Sequence, residues 1–281
     1  MSNQIRISPQ RMRTLIFEII LILFTLLYLF PFYMVMTLSV KSPSQALMDP
    51  LGIPKSFNID NFVQAWRQTN FAQALSNSVF ITVTSVIMIL IVTGMGSFAI
   101  SKLSKRFSSI VYYIFVSGLM IPFYLALTPS VKLMNDVGLM NSTFGLSLFY
   151  VGRHVSFAVF LLVGFLRTIP GEISESAIID GCRPFRLYWN ICFPMLKPAI
   201  TTLAILNSLS IWNDFLFPLL VLSSTRNRTL TLAQYIFRSE ASTKWHLVFS
   251  AYLMAMTPLL ILYFVLQRNI VEGIATGALK G

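Results

Sequence analysis

The chain has 281 residues, of which 56% are hydrophobic and only 11% are charged. Because about a quarter of the residues in soluble domains are charged, this composition excludes a protein with one large soluble core and predicts a polytopic membrane protein. A formal net charge of +11 would suggest nucleic acid as the partner of a soluble chain. Here the basic residues lie between apolar runs, which indicates orientation in the membrane and contact with anionic lipid, not nucleic acid.

Six apolar runs are long enough to cross a bilayer as helices. The first follows Arg6, Arg11 and Arg13 as in a signal peptide, but it is too long and has no small-residue cleavage site, so we predict an uncleaved span. The predicted spans cover about residues 19–40, 77–100, 108–130, 148–166, 199–222 and 247–266. They predict an all-α membrane protein with six transmembrane helices and both termini in the cytoplasm, forming a single domain over residues 1–281.

The predicted outer loops differ in character. The loop 41–76 is polar and contains an amphipathic pattern near Ile59–Trp66, which predicts a short helix. The loops 131–147 and 223–246 are the second and third, and the third is basic. We expect Pro122 and Pro129 to kink or break the outer half of the third span, an arrangement that membranes tolerate where the broken helix lines a cavity.

Glycines within the second span resemble a dinucleotide-binding fingerprint. The stretch Gly94-Met95-Gly96-Ser97-Phe98-Ala99 lies inside an apolar helix and follows no strand. Close packing of the helix against a neighbour is therefore the predicted role of these glycines.

The longest polar interruption in the second half of the chain is residues 167–198. Pro170 precedes a predicted helix that carries Glu172 and Glu175 in its early turns, where acidic side chains suit the helix dipole. Gly181 is placed to end that helix, because glycine adopts the left-handed conformation easily. After Pro184 a second helix is predicted, with its apolar face formed by Phe185, Tyr188, Trp189 and Cys192.

This stretch resembles the cytoplasmic EAA loop of ABC importer permeases. Glu175-Ser176-Ala177 is followed after three residues by Gly181 and after nine more by Ile191-Cys192-Phe193-Pro194, which matches the spacing of that loop. Ser176 and Phe193 replace the Ala and Leu of the family pattern. The resemblance implies that residues 167–198 couple the permease to a cytoplasmic ATPase. The simpler alternative is an amphipathic helix on the membrane surface.

The resemblance extends over most of the chain and is greatest to the carbohydrate branch, the maltose-type permeases. It is carried by Phe165–Pro170, by Trp212-Asn213-Asp214-Phe215, and by the ending that begins at Val271-Glu272-Gly273. The family implies the type I importer fold in the cytoplasmic (inner) membrane of a bacterium. It also implies a heterodimer with a second homologous permease chain, two ATPase subunits that bind ATP and Mg, and an extracytoplasmic solute-binding protein. No cofactor is then expected in this chain.

The resemblance also implies functional residues. The predicted ATPase-coupling residues are Glu172, Glu175, Ser176, Ala177, Asp180, Gly181, Phe185 and Tyr188. The tail 267–281 is expected to reach the ATPase through Gly273, Gly277, Lys280 and Gly281; a frayed terminus is the alternative.

A sugar path through the membrane is predicted from polar residues within the spans. Asn207, Asn213, Asp214 and Arg153 are the candidates, since carboxylates and amides complement sugar hydroxyls. Asn207 and Asp214 are seven residues apart and would share one face of a continuous helix, while Trp212 would pack against a neighbouring span. The alternative is that Asp214 caps or braces a broken helix whatever the substrate.

The sequence thus predicts a sugar-transporting permease and not an enzyme. It contains no Gly-x-x-x-x-Gly-Lys-Ser/Thr sequence for nucleotide phosphates, and its two cysteines and two histidines form no metal-binding pattern. A permease for a non-sugar solute is the nearest alternative. A stand-alone secondary carrier is a third possibility, for which Arg153 and Asp214 would be the intramembrane ionisable groups.

Overall fold

The computed structural model describes residues 9–237 and 244–278. In this part of the chain the regular secondary structure is helical and contains no strand, which confirms the predicted all-α class. The α-helices are, in chain order, α1 (Pro9–Val40), α2 (Pro43–Met48), α3 (Asp60–Gln68), α4 (Phe71–Lys102), α5 (Lys105–Ser117), α6 (Phe123–Asp136), α7 (Thr143–Leu166), α8 (Gly171–Ile179), α9 (Pro184–Leu187), α10 (Phe193–Met195), α11 (Lys197–Asn213), α12 (Leu216–Val221), α13 (Leu230–Ala233) and α14 (Trp245–Ala278). The chain forms two compact units. The first consists of the residues up to Gln68 together with Ile236–Met256, and the second consists of Thr69–Tyr235 together with the residues from Thr257 onward.

The first unit begins with the long helix α1, most of whose side chains are exposed. No side chain of α1 between residues 12 and 33 is buried, and burial begins only at Thr37 near its end. Helix α3 confirms the amphipathic helix predicted near Ile59–Trp66. Its Ala65 packs with Phe237 and with the start of α14 to form the small core of this unit.

A buried lysine organises the loop after α1. Lys41 is 0% exposed, and its Nζ donates to the backbone carbonyls of Asp49 at 2.9 Å and Pro50 at 2.8 Å. Helix α2, which the sequence analysis did not predict, lies inside this loop: Ser42 caps its first turn by accepting from Gln45 N, and Pro43 occupies its first position.

The second unit is built on α4, α7 and α11, which pack against one another. Their contact surface is apolar and fully buried at positions such as Ile89, Leu146, Leu162 and Leu203. At one end of α4, Asn77 Nδ2 donates to the carbonyls of Arg226 and Arg228 at 2.8 and 2.9 Å. The basic stretch after α12 is therefore held to α4 through its backbone.

Two of the predicted spans are not single straight helices. The chain bends by 101° between Lys105–Met120 and Phe123–Asp136, which confirms the predicted break at Pro122. Pro129 lies within α6 and does not break it. Helix α6 continues to Asp136 and α7 begins at Thr143, so the second loop is shorter than the predicted 131–147.

The fifth predicted span, 199–222, is also broken. Helix α11 ends at Asn213, Asp214 is extended with φ −68° and ψ 126°, and α12 starts at Leu216. The prediction that Asn207 and Asp214 share one face of a continuous helix was therefore wrong, because Asp214 stands outside α11.

Within residues 9–237 and 244–278, three helices are long and apolar enough to cross a membrane: Met12–Val40, Phe71–Lys102 and Thr143–Leu166. Up to five spans result if each of two bent pairs is one span, the second pair being Pro184–Met195 with Lys197–Asn213, bent by 75°. Trp245–Ile261 is a shorter apolar helix. Helix α14 continues past the predicted end of the sixth span at residue 266, as far as Ala278.

Candidate functional site

The first candidate site is the segment 167–198, which we call the coupling loop. Helix α8 ends in a Schellman motif: Cys182 N donates to Ala177 O at 2.9 Å and Gly181 N to Ile178 O at 3.0 Å. Gly181 has a φ of +78°, the left-handed conformation that this motif requires. The predicted first helix and the role of Gly181 in ending it are thereby confirmed.

The underside of the coupling loop is buried against the ends of two long helices. Its apolar residues pack in one cluster with Phe98 of α4 and Leu166 of α7; these residues are Ala177, Leu187, Tyr188, Cys192 and Leu196. We call this the inner cluster. Because side chains of α4, α7 and the loop share one core, a displacement of the loop is transmitted to both helices.

The second half of the loop does not form the regular helix that was predicted. Tyr188–Cys192 is a π-helical turn between α9 and α10. The extra residue per turn shifts the buried face, so that Leu187 is 2% exposed whereas Phe185 is 67% exposed. The prediction that Phe185 lies on the apolar face with Tyr188 and Cys192 was wrong for Phe185.

The solvent side of the loop carries an apolar tip. Ile178, Ile179 and Phe185 flank the Gly181 turn and are 55%, 84% and 67% exposed. Of the predicted coupling residues, Glu172, Glu175, Ser176, Asp180 and Gly181 are also exposed, while Ala177 and Tyr188 are buried. The two isoleucines were missed in the sequence, although Ser174 and Ala177, three apart on the buried face, place Ile179 on the opposite side of α8.

The two cysteines of the loop differ in environment. Cys192 is 3% exposed in the inner cluster, and Cys182 at the turn is partly exposed. Burial raises the pKa of the Cys192 thiol, an effect that Lys102 and a hydrogen bond with Ser174 partly offset. Since the thiolate is the reactive form, Cys192 should be the less reactive of the two at neutral pH.

We therefore expect a maleimide at pH 7 to label Cys182 faster than Cys192, because Cys192 is enclosed in the inner cluster and burial raises the pKa of its thiol, whereas Cys182 is partly exposed. Peptide mass spectrometry after brief exposure of the membrane-embedded protein measures both rates. Cys182→Ser should abolish the fast phase, and urea should equalise the two sites. Equal labelling without urea would show that Cys192 is not enclosed.

The second candidate site is the break in the fifth span, centred on Asp214. Its Oδ2 accepts from Arg153 Nη1 at 2.7 Å and from Tyr150 OH at 3.0 Å, both on α7. Its Oδ1 accepts from Phe217 N at 3.5 Å in the first turn of α12, and its carbonyl accepts from Thr231 Oγ1 at 2.9 Å. We call these residues the Asp214 bracket, since they join α7, α12 and α13 at the break.

Aromatic rings complete the bracket. The Arg153 guanidinium lies 3.7 Å from the ring centroid of Phe123, the first residue of α6 after the Pro122 break. Phe149 of α7 stacks on Phe217 of α12 with centroids 3.6 Å apart. Both broken helices therefore meet at one place, where a cation over an aromatic face adds to the ion pair.

A cavity of about 700 Å³ opens beside the bracket. Arg153, Phe123, Ser130 and Ser156 are among its lining residues. Arg153 and Asp214 are thus brought together, with side chains 26% and 10% exposed. The other predicted path residues are placed differently. Asn207 is buried, and its Nδ2 has no hydrogen-bond partner in the part of the chain that the structure describes. Asn213 is exposed and donates to Leu209 O of its own helix.

The structure describes the predicted tail only as far as Ala278. Gly273 and Gly277 fall within α14, which extends into the predicted tail as far as Ala278. Lys280 and Gly281 lie outside the described residues. Among the described residues no group of three or more His, Cys, Asp or Glu could hold a metal ion.

Comparison with known proteins gives consistent matches. The profile of the family described as binding-protein-dependent transport system inner membrane component matches residues 91–276. The chain is 37% identical, over 92% of its length and 94% of the relative's, to a probable starch degradation products transport system permease protein, AmyC, of Thermoanaerobacterium thermosulfurigenes.

Two solved structures show the same fold. The first is a bacterial ABC transporter involved in the import of the acidic polysaccharide alginate, with a TM-score of 0.83, 21% identity and coverage of 93% of this chain and 98% of that one. The second is the bacterial alginate transporter in complex with an alginate pentasaccharide-bound periplasmic protein, with a TM-score of 0.65, 14% identity and coverage of 91% and 95%.

Proposed function

The chain belongs to the family of binding-protein-dependent transport system inner membrane components, and from this we propose that it is the permease subunit of an ABC importer that carries a sugar or oligosaccharide across the cytoplasmic membrane. The family consists of transport subunits, not enzymes. ATP hydrolysis is assigned to a separate partner chain.

The strongest support for coupling to an ATPase is the construction of the coupling loop. Three large apolar side chains at a rigid, glycine-ended turn are exposed at its tip, while its underside is fixed to α4 and α7 through the inner cluster. Exposed apolar groups rimmed by polar residues mark protein–protein contacts. A helix lying on the membrane surface would not need both a fixed underside and an exposed tip.

Sugar as the cargo is supported by the name of the relative AmyC and by the Asp214 bracket. The carboxylate of Asp214 neutralises the charge of Arg153 beside the 700 Å³ cavity. This part of the cavity wall therefore offers hydrogen-bonding groups and aromatic rings but carries no net charge. Such a lining complements the hydroxyls and C–H faces of an uncharged sugar.

The assembly we propose contains this chain, a second homologous permease chain, two ATPase subunits that hold ATP and Mg, and an extracytoplasmic solute-binding protein. The chain crosses the membrane six times with both termini inside, and its coupling loop is cytoplasmic. Glu172, Glu175, Asp180 and Phe185 contact the ATPase, and the tail from Gly273 reaches toward it.

The proposal predicts that uptake depends on ATP and not on ion gradients. Cells that express the complete operon should take up labelled oligosaccharide, from a panel that includes maltotriose and raffinose, in the presence of an ionophore. Uptake should stop when ATP is depleted while the membrane potential is clamped. Loss of uptake with the ionophore at normal ATP levels would identify a secondary carrier instead.

A further inference from the structure

One glycine of α4 lies directly under the coupling loop. Gly94 is buried, and a Cβ built on it would collide with the hydroxyl oxygen of Tyr188 and lie 3.6 Å from its Cζ. The end of the Tyr188 ring therefore rests on bare backbone, in a space that only glycine leaves open. We call this contact the Gly94 seat.

Tyr188 is held in the Gly94 seat from several sides. Its side chain is 2% exposed, and its ring contacts Phe98 at 5.4 Å and Trp189 at 5.0 Å between centroids. It begins the π-helical turn Tyr188–Cys192, a local conformation that is frequent at functional sites. The hydroxyl has no hydrogen-bond partner among the described residues, although burying a hydroxyl without a partner is unfavourable. Hydrogen bonding thus does not explain why residue 188 carries a hydroxyl. The contact with Gly94 gives this hydroxyl a steric role instead.

We propose that Tyr188 is a positioning residue for coupling, whose phenol end fixes the distance between the coupling loop and α4 through the Gly94 seat. This inference rests on the proposed function, since it names the contact by which loop movement reaches the first long helix of the second unit. The inner cluster supplies the bulk of the packing. The Gly94 seat sets the position of the coupling loop against α4, because glycine has no side chain that could move aside.

The chain offers a matched control two residues away. Gly96 lies in the same helix, and a Cβ built on it has nothing within 4 Å. Gly94→Ala and Gly96→Ala thus add the same methyl group and the same helix propensity to α4. They differ only in the contact with Tyr188.

The experiment compares Gly94→Ala, Gly96→Ala, Tyr188→Phe and the double variant Gly94→Ala/Tyr188→Phe in the complete importer, reconstituted with its binding protein and sugar. The readout is the ratio of substrate-stimulated to unstimulated ATP hydrolysis. Gly94→Ala should lower the ratio by about fivefold or more, the size of a typical coupling between sites, and Gly96→Ala should not. The double variant should regain most of the ratio, because removal of the hydroxyl makes room for the methyl group.

The proposal is overturned if Gly94→Ala behaves like Gly96→Ala, or if Tyr188→Phe fails to rescue it. Should Gly94→Ala prevent assembly, the yield and melting temperature of the complex replace the ratio, and recovery of both in the double variant is the result required. A wild-type complex that shows no stimulation by substrate would contradict the proposed function. In that case the same melting temperatures would still test the Gly94 seat.

Discussion

Replacement of Gly181 by valine is expected to lower substrate-stimulated ATP hydrolysis about tenfold while the importer still assembles. A non-glycine residue in the left-handed conformation costs about 1–2 kcal/mol, and more when it is β-branched. At φ +78° valine strains the turn, which weakens the two hydrogen bonds of the Schellman motif and shifts the exposed tip formed by Ile178, Ile179 and Phe185. The inner cluster stays intact, so the loop remains attached.

Two variants separate coupling from strain. A Cβ at Gly181 meets no atom within 4 Å, so only the backbone conformation is strained, and Gly181→Asn should be tolerated because asparagine adopts this conformation readily. Gly138 has a φ of +69° and equally open surroundings in the loop after α6. Gly138→Val should therefore lower the melting temperature without changing the stimulation ratio. Normal stimulation in Gly181→Val would contradict a coupling role for this loop.

Replacement of Asp214 by asparagine is expected to reduce the yield of assembled importer severely. The change keeps the shape but leaves Arg153 without its anion, and removal of one partner of a buried ion pair costs about 3–5 kcal/mol. With Arg153 26% exposed, we expect a loss near the lower end of that range. The break between α11 and α12 also loses an acceptor that holds α7 and α12 together.

The companion variants identify which role the carboxylate has. Arg153→Gln/Asp214→Asn removes both charges and should recover part of the yield, whereas Asn213→Ala alters an exposed neighbour and should assemble normally. Size-exclusion yield and melting temperature measure assembly, and sugar uptake measures transport. If Asp214→Asn assembles normally but transports poorly, Asp214 acts in the sugar path and not as a brace.

Local signals in the sequence predicted the coupling loop well. Pro184 and Gly181 each fix a backbone conformation by their own chemistry, so the turn and the start of α9 follow from residue type. The break at Pro122 has the same origin. Helix α2 carried the equally local signal of Ser42 followed by Pro43, which was overlooked within a polar loop.

The sequence analysis gave a broken helix at Asp214 only as an alternative. Pro218 was a local signal for it, because in a continuous helix its ring would clash with the carbonyl of Asp214 four residues earlier. None of Asn213, Asp214 and Phe215 forces a helix to end by itself. The Asp214 carboxylate accepts hydrogen bonds from Arg153 and Tyr150, which lie more than sixty residues earlier in the chain. The π-helical turn is a product of packing, since Leu187 and Cys192 are buried together at a spacing of five residues that a regular helix would not place on one face. Contacts with distant segments decide this feature.

Helix α1 has an evolutionary consequence. From residue 12 to 32 it buries no side chain, so the chain's own folding requires little of this segment beyond apolar character. Substitutions among Leu, Ile, Val and Phe there should drift freely unless another molecule covers them. A position in this segment that stays unchanged among descendants of this sequence would therefore mark a contact with a neighbouring subunit. The fold of this chain alone would not explain it.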